Sequence, residues 1–318
     1  MTKTQIMLMT AMLVGVSVGC ASDRAAPPGV HSAHPWRFDG RDATLLQTPH
    51  FAIHTTLTDP RLLNDLARVL EAAYDAFVDL LPPVSTGSPR PLNAYVLADR
   101  SEWQRVTRAL AGDQAEMYLR ITRGGFTIGD TFAIYHLGRD LTLPLAAHEA
   151  WHAYLSRHAL VRPPPAIEEG LATLFESVRV ERGRVLFDPR RNPLRAGRVG
   201  SVLRSGRVRP VRELLAMHAG DVVGRGTGAS DAFYVQTWAL ALLLTDPRTP
   251  ARRDGLRRLL ADCASGRSDT PIALAWSRDG QWRADRAADV LEVYLGPLDA
   301  LEADYEQLLR DLARRRMR

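Results

Sequence analysis

The chain has 318 residues, a net charge of +5 and 46% apolar side chains, ample for one hydrophobic core in a two-lobed domain. Its two cysteines exclude a disulfide-stapled scaffold. The 41 basic residues are one lysine and 40 arginines without interleaved aromatics to stack bases, so the charge does not indicate a nucleic-acid partner.

Residues 1–19 read as an export signal. Lys3 precedes an apolar run, Ile6 to Val18, that is too short to span a bilayer, and Ser17-Val18-Gly19 leads into Cys20. A cysteine in that place resembles a bacterial lipobox, although Ser17 stands where the pattern has Leu or Val. The expectation is lipidation at Cys20. That makes the chain an exported lipoprotein of the bacterial cell envelope, membrane-anchored and facing the periplasm. Residues 20–45 read as a tether, Pro- and Ala-bearing without periodicity. No second apolar run of spanning length follows.

Phe51 to Leu57 alternates as a strand. Asp59-Pro60 caps a helix carrying Leu62, Leu66, Val69, Leu70, Phe77 and Leu81 at helical spacing, and Pro82-Pro83 stops it. Leu92 to Leu97 is a second strand, and Ser101 caps a short helix. Gly124-Gly125-Phe126 and Thr131 to His136 frame a hairpin or an edge strand, and an extended peptide can add to a free edge at 131–136. After residue 165 the pattern is helical: 165–178, 210–219, 230–244, 254–264 and 298–314. Eleven arginines between Arg179 and Arg212 read as a solvated connector, or more sharply as a basic rim drawing acidic polymers or a membrane surface. Cys263 reads as a buried small apolar residue. The fold class is α+β: an N-terminal mixed sheet with helices over 46–160, then a mainly helical lobe over 161–318.

The segment His148-Glu149-Ala150-Trp151-His152 carries the chemistry. On a helix, residues four apart share a face, so both imidazoles reach one ion. Glu149 lies about 100° round, within reach of a water that such an ion activates. A catalytic zinc takes three protein ligands, and two completions compete. His158 has metzincin spacing, but Leu155 stands where a glycine must turn the chain. On a continued helix His158 lies about 9 Å of rise beyond His152, out of reach. Glu169, in Glu168-Glu169-Gly170-Leu171-Ala172, is the other candidate, with Gly170 allowing its helix to approach the first. Glu168 is its rival by one residue, and both acids also suit a charged first helical turn.

His-Glu-x-x-His followed by Glu-Gly-Leu-Ala resembles the gluzincin metallopeptidases, the thermolysin and aminopeptidase N group, and their bacterial peptidase MA-like relatives. Softer likenesses are Gly124-Gly-Phe, Tyr234-Val-Gln-Thr-Trp and the closing 295–305 segment. The resemblance implies a zincin-like, thermolysin-type catalytic domain. It also implies Zn2+ held by His148, His152 and Glu169, Glu149 as base, and a peptide or protein substrate. It places Tyr234 where aminopeptidases have an oxyanion donor, and a core tyrosine is the alternative. Thr173 stands where thermolysin-like enzymes have an aspartate orienting a zinc histidine. The glycines from Gly220 to Gly228 would allow the Tyr234 helix to move. The rival to hydrolysis is a non-catalytic zincin-fold envelope protein that binds a partner or wall polymer, for which a retained Glu149 has no use.

Overall fold

The computed structural model describes residues 30–83, 90–222, 227–277 and 279–315. The expected signal segment and Cys20 lie outside the described residues, as do positions 223–226 of the glycine-bearing loop.

Six strands form one mixed sheet: β1 Ser32–Phe38, β2 Arg41–Gln47, β3 Phe51–Thr55, β4 Leu92–Leu97, β5 Gly125–Ile128 and β6 Thr131–Tyr135, in the order β1-β2-β3-β4-β6-β5. β3, β4 and β6 run parallel, and the outer pairings are antiparallel. Parallel neighbours need crossovers, which the helices α1 (Pro60–Leu80), α2 (Arg100–Ala111) and α3 (Ala115–Leu119) supply. Period-two alternation puts Phe51, Ile53, Leu92, Ala94, Val96, Phe132 and Ile134 on one buried face. α1 lays its stripe of Leu66, Leu70, Ala73 and Phe77 in the same core, beside α4 (Arg139–His158).

α1 starts as the sequence predicts, with Asp59 accepting the Arg61 N–H at 2.9 Å and Pro60 in the first turn. α2 does not. Its cap is Asp99, whose Oδ1 accepts from the Glu102 N–H at 2.9 Å and from the Ser101 hydroxyl at 2.7 Å. Ser101 is already inside the first turn, so the carboxylate two residues earlier takes the free N–H group.

The stretch expected as tether is structured from Ser32 onward. β1 and β2 form a hairpin closed by Asp39-Gly40, with φ of +52° and +75°, the paired positive values a two-residue turn requires. Pro35 lies on β1, the sheet edge, the place in a sheet where a proline is tolerated.

The second half is helical: α5 Pro165–Phe175, α6 Val199–Arg204, α7 Val211–Ala216, α8 Thr227–Thr245, α9 Pro250–Ser265, α10 Pro271–Leu274, α11 Ala287–Leu295 and α12 Leu298–Arg315. One hairpin interrupts it: β7 Val178–Glu181 and β8 Arg184–Phe187. α8 is its axis, burying Phe233, Trp238, Leu240 and Leu244, and Cys263 on α9 is buried nearby as expected. Among the described residues no helix is long and apolar enough to cross a membrane. One core runs from Phe51 in the sheet through Trp151 and Phe175 to Trp238 and Tyr305. The fold is α+β.

Candidate metal centre

α4 carries the His-Glu-x-x-His segment through the middle of the molecule. Every residue from Ala146 to Leu155 on it is buried. Pro144 sits near its start, where the Thr142 hydroxyl ties to the Gly138 carbonyl at 2.8 Å. The helix continues through Leu155 to His158, as a residue with a Cβ at position 155 favours. His158 therefore stays apart from the pair, its ring 4.4 Å from that of Tyr154.

The imidazoles of His148 and His152 converge with Glu169 of α5. The two Nε2 atoms are 3.2 Å apart, and Glu169 Oε2 lies 3.4 Å from the first and 3.7 Å from the second. A tetrahedral ion with ligands about 2.1 Å away holds neighbouring donor atoms about 3.4 Å apart, so the triangle has the right size for one. Each histidine donates its Nδ1 hydrogen to a carboxylate, His148 to Glu176 at 3.0 Å and His152 to Glu168 at 2.7 Å. Both inward Nε2 atoms of neutral rings are then lone-pair acceptors. Glu169 Oε2 is buried without a hydrogen-bond donor. Three acceptors facing one another need positive charge between them, so His148, His152 and Glu169 fit a metal ion.

Without an ion, protons take that place. Burial opposes a charged His148, but Glu169 and Glu176 outweigh it and raise its pKa to about 9. His152 is likewise opposed by burial and lifted by Glu169 and Glu168, to about 10. Burial would raise Glu169, yet the two imidazoles hold it far below the usual carboxylate range.

Each histidine partner is itself locked. Glu176 accepts from Arg195 through Nε at 2.7 Å and also through Nη2, and from Asn192 at 3.2 Å. With burial opposing and Arg195 dominating, its pKa falls to about 2. Glu168 accepts from Arg162, through Nε at 3.0 Å and through Nη2. The expected rivalry between Glu168 and Glu169 is resolved by direction: Glu169 faces the imidazole Nε2 atoms, and Glu168 binds the back of His152.

The support for His148 comes from elsewhere than position 173, and one expectation, the neighbour of Gly170, is corrected. Thr173 does not support a histidine, because its hydroxyl donates to the Gly170 carbonyl at 2.5 Å. The longer Glu176 reaches His148 instead, seven residues past Glu169 and hence two turns along the same face. Gly170 serves closeness to α8, not to α4: a Cβ there would lie 2.5 Å from the Thr237 carbonyl oxygen. α8 is the helix that carries Tyr234. The Tyr234 ring sits 6.3 Å from that of His148, with the Arg195 guanidinium 4.8 Å above it. Burial, then the charge of Glu169, push its pKa well up, so the phenol keeps its proton.

Glu149 is also buried, and the Thr127 hydroxyl donates to its Oε2 at 2.8 Å. Thr127 belongs to β5. The free edge expected at 131–136 is overturned, since β6 pairs with β4 on one side and β5 on the other. The sheet edge beside the site is β5. Arg195, Arg162, Asn192 and Thr127 carry no site signal in the sequence; Glu176 carries one, its seven-residue spacing from Glu169.

Comparison with family models, with curated proteins and with solved structures finds no match. The likeness to gluzincins stands on His148, Glu149, His152 and Glu169 themselves.

Proposed function

We propose that this chain is a zinc-dependent metallopeptidase of gluzincin type, with a zincin-like fold, acting on a peptide or protein substrate. The observation that supports it most is the convergence of three inward-facing acceptors, His148 Nε2, His152 Nε2 and Glu169 Oε2, beside a buried, hydrogen-bonded Glu149. Those three side chains would hold zinc, which would supply Lewis acidity toward a carbonyl oxygen and toward water.

The chain's own groups do the rest. Glu149 takes the proton of the attacking water and returns it to the leaving amine. Tyr234, kept protonated, donates to the developing oxyanion. The outer edge of β5, unpaired among the described residues, offers backbone N–H and C=O groups to an extended peptide. Glu176 and Glu168 hold the two imidazoles in the tautomer that presents Nε2 inward.

The buried Glu149 with its Thr127 partner favours hydrolysis over a non-catalytic binding protein, which has no use for a base. The mature protein should carry one zinc per chain and cleave members of a broad peptide library, with cleavage lost to a chelator and restored by zinc. Bound zinc without cleavage would instead favour the binding protein. Export and anchoring through Cys20 belong to the same proposal, and labelled palmitate should enter the wild-type protein but not Cys20→Ser.

A further inference from the structure

Gly125 and Thr127 point to the same side of β5, toward α4, while Phe126 between them packs the other side against Trp103 and Tyr118. Both touch Glu149, in different ways. A Cβ at Gly125 would stand 2.4 Å from Ile134 Cγ2, 2.9 Å from the Ala133 carbonyl oxygen and 3.0 Å from Glu149 Cγ. The glycine therefore makes room first for the paired strand β6 and then for the Glu149 side chain. Two residues on, the Thr127 hydroxyl has two acceptors on Glu149, Oε2 at 2.8 Å and the backbone oxygen at 3.2 Å. A hydroxyl has one proton, and the shorter, charge-assisted contact to the carboxylate takes it. Glu149 Oε1 has no hydrogen bond among the described residues.

We propose that Thr127 is a positioning residue for the base: it fixes Oε2 of Glu149 and leaves Oε1 as the oxygen presented to the attacking water, in a seat that Gly125 makes room for. The assignment rests on the hydrolytic reading above.

The test uses the full, zinc-loaded chain with glutamate labelled by carbon-13 at Cδ, the Glu149 resonance being the one that Glu149→Gln removes. Thr127→Val should shift that resonance, and Thr127→Ser should bring it back. In peptide cleavage, Thr127→Val should lower kcat about ten- to a hundredfold while KM changes less than about twofold, with Thr127→Ser restoring it. Gly125→Ala should shift the resonance although the hydroxyl is intact, and recovery in Thr127→Ser guards against a valine variant that folds poorly. A Glu149 resonance unchanged in both Thr127→Val and Gly125→Ala overturns the proposal. If the wild type cleaves nothing while the resonance still follows Thr127, the seat stands and the hydrolytic reading falls.

Discussion

Glu176 accepts the Nδ1 hydrogen of His148 from a position two helical turns beyond Glu169. One face of α5 thus supplies both a candidate metal ligand and the carboxylate that orients another. Arg195 fixes Glu176 from behind and lies over Tyr234, so a single guanidinium touches the histidine support and the candidate oxyanion donor.

Breaking that arm should weaken metal binding without removing a ligand. Glu176→Gln should lower zinc affinity about 10- to 100-fold in chelator competition. It also leaves the largely buried Arg195 without its countercharge, so unfolding should require about 3 kcal/mol less by denaturant titration. Unchanged affinity would mean that the Nδ1 contact does not orient the ring.

The three candidate third ligands should separate in one experiment. Glu169→Ala should abolish stoichiometric zinc, and Glu168→Ala should weaken binding about 10- to 100-fold through loss of the His152 contact. His158→Ala should leave affinity within about twofold, since its ring packs on Tyr154 away from the triangle. Zinc content after dialysis against a graded chelator reads the order directly.

The legibility of the chain follows from which signals are local. β3, α1, β4, α8 and α12 carry their periodicity in consecutive residues, and the His-Glu-x-x-His spacing needs only one helix. The β1–β2 hairpin was hidden by Pro35 and by polar His34 and Asp42, although Asp39-Gly40 is a turn signal in its own right. Thr127 and Arg195 meet the site only through the tertiary fold, across the sheet edge and from the loop between β8 and α6. The partner of Gly170 was misjudged for the same reason, because closeness is evident in a glycine but its direction is not.

Acidity should act on the metal-free protein in a definite sense. His148 and His152 move from an ordinary 6.5 up to about 9 and 10, so their stabilisation is fully present below 6.5 and is lost as pH rises through 9 to 10. Glu169 is depressed from 4.5, so its contribution is present above 4.5 and is lost as pH falls through its lowered value. Zinc at the proposed site would compete with the imidazole protons, so the gain in Tm on adding zinc should grow from pH 5 to pH 8. A gain that shrinks over that range would place the metal elsewhere.

Gly170→Ala should destabilise by about 1–3 kcal/mol, because its methyl would press the Thr237 carbonyl and force α5 away from α8. Both Glu169 and Tyr234 ride on those helices, so cleavage should fall by more than the loss of folded protein explains. Thermal melts paired with zinc content separate the two effects.

We propose that Glu149 acts as a base beside a metal held by His148, His152 and Glu169. The most direct test is Glu149→Gln, with zinc content and peptide cleavage measured on the same preparation. One zinc per chain should remain while cleavage falls at least about 100-fold. Undiminished cleavage by that variant at full zinc occupancy would contradict it.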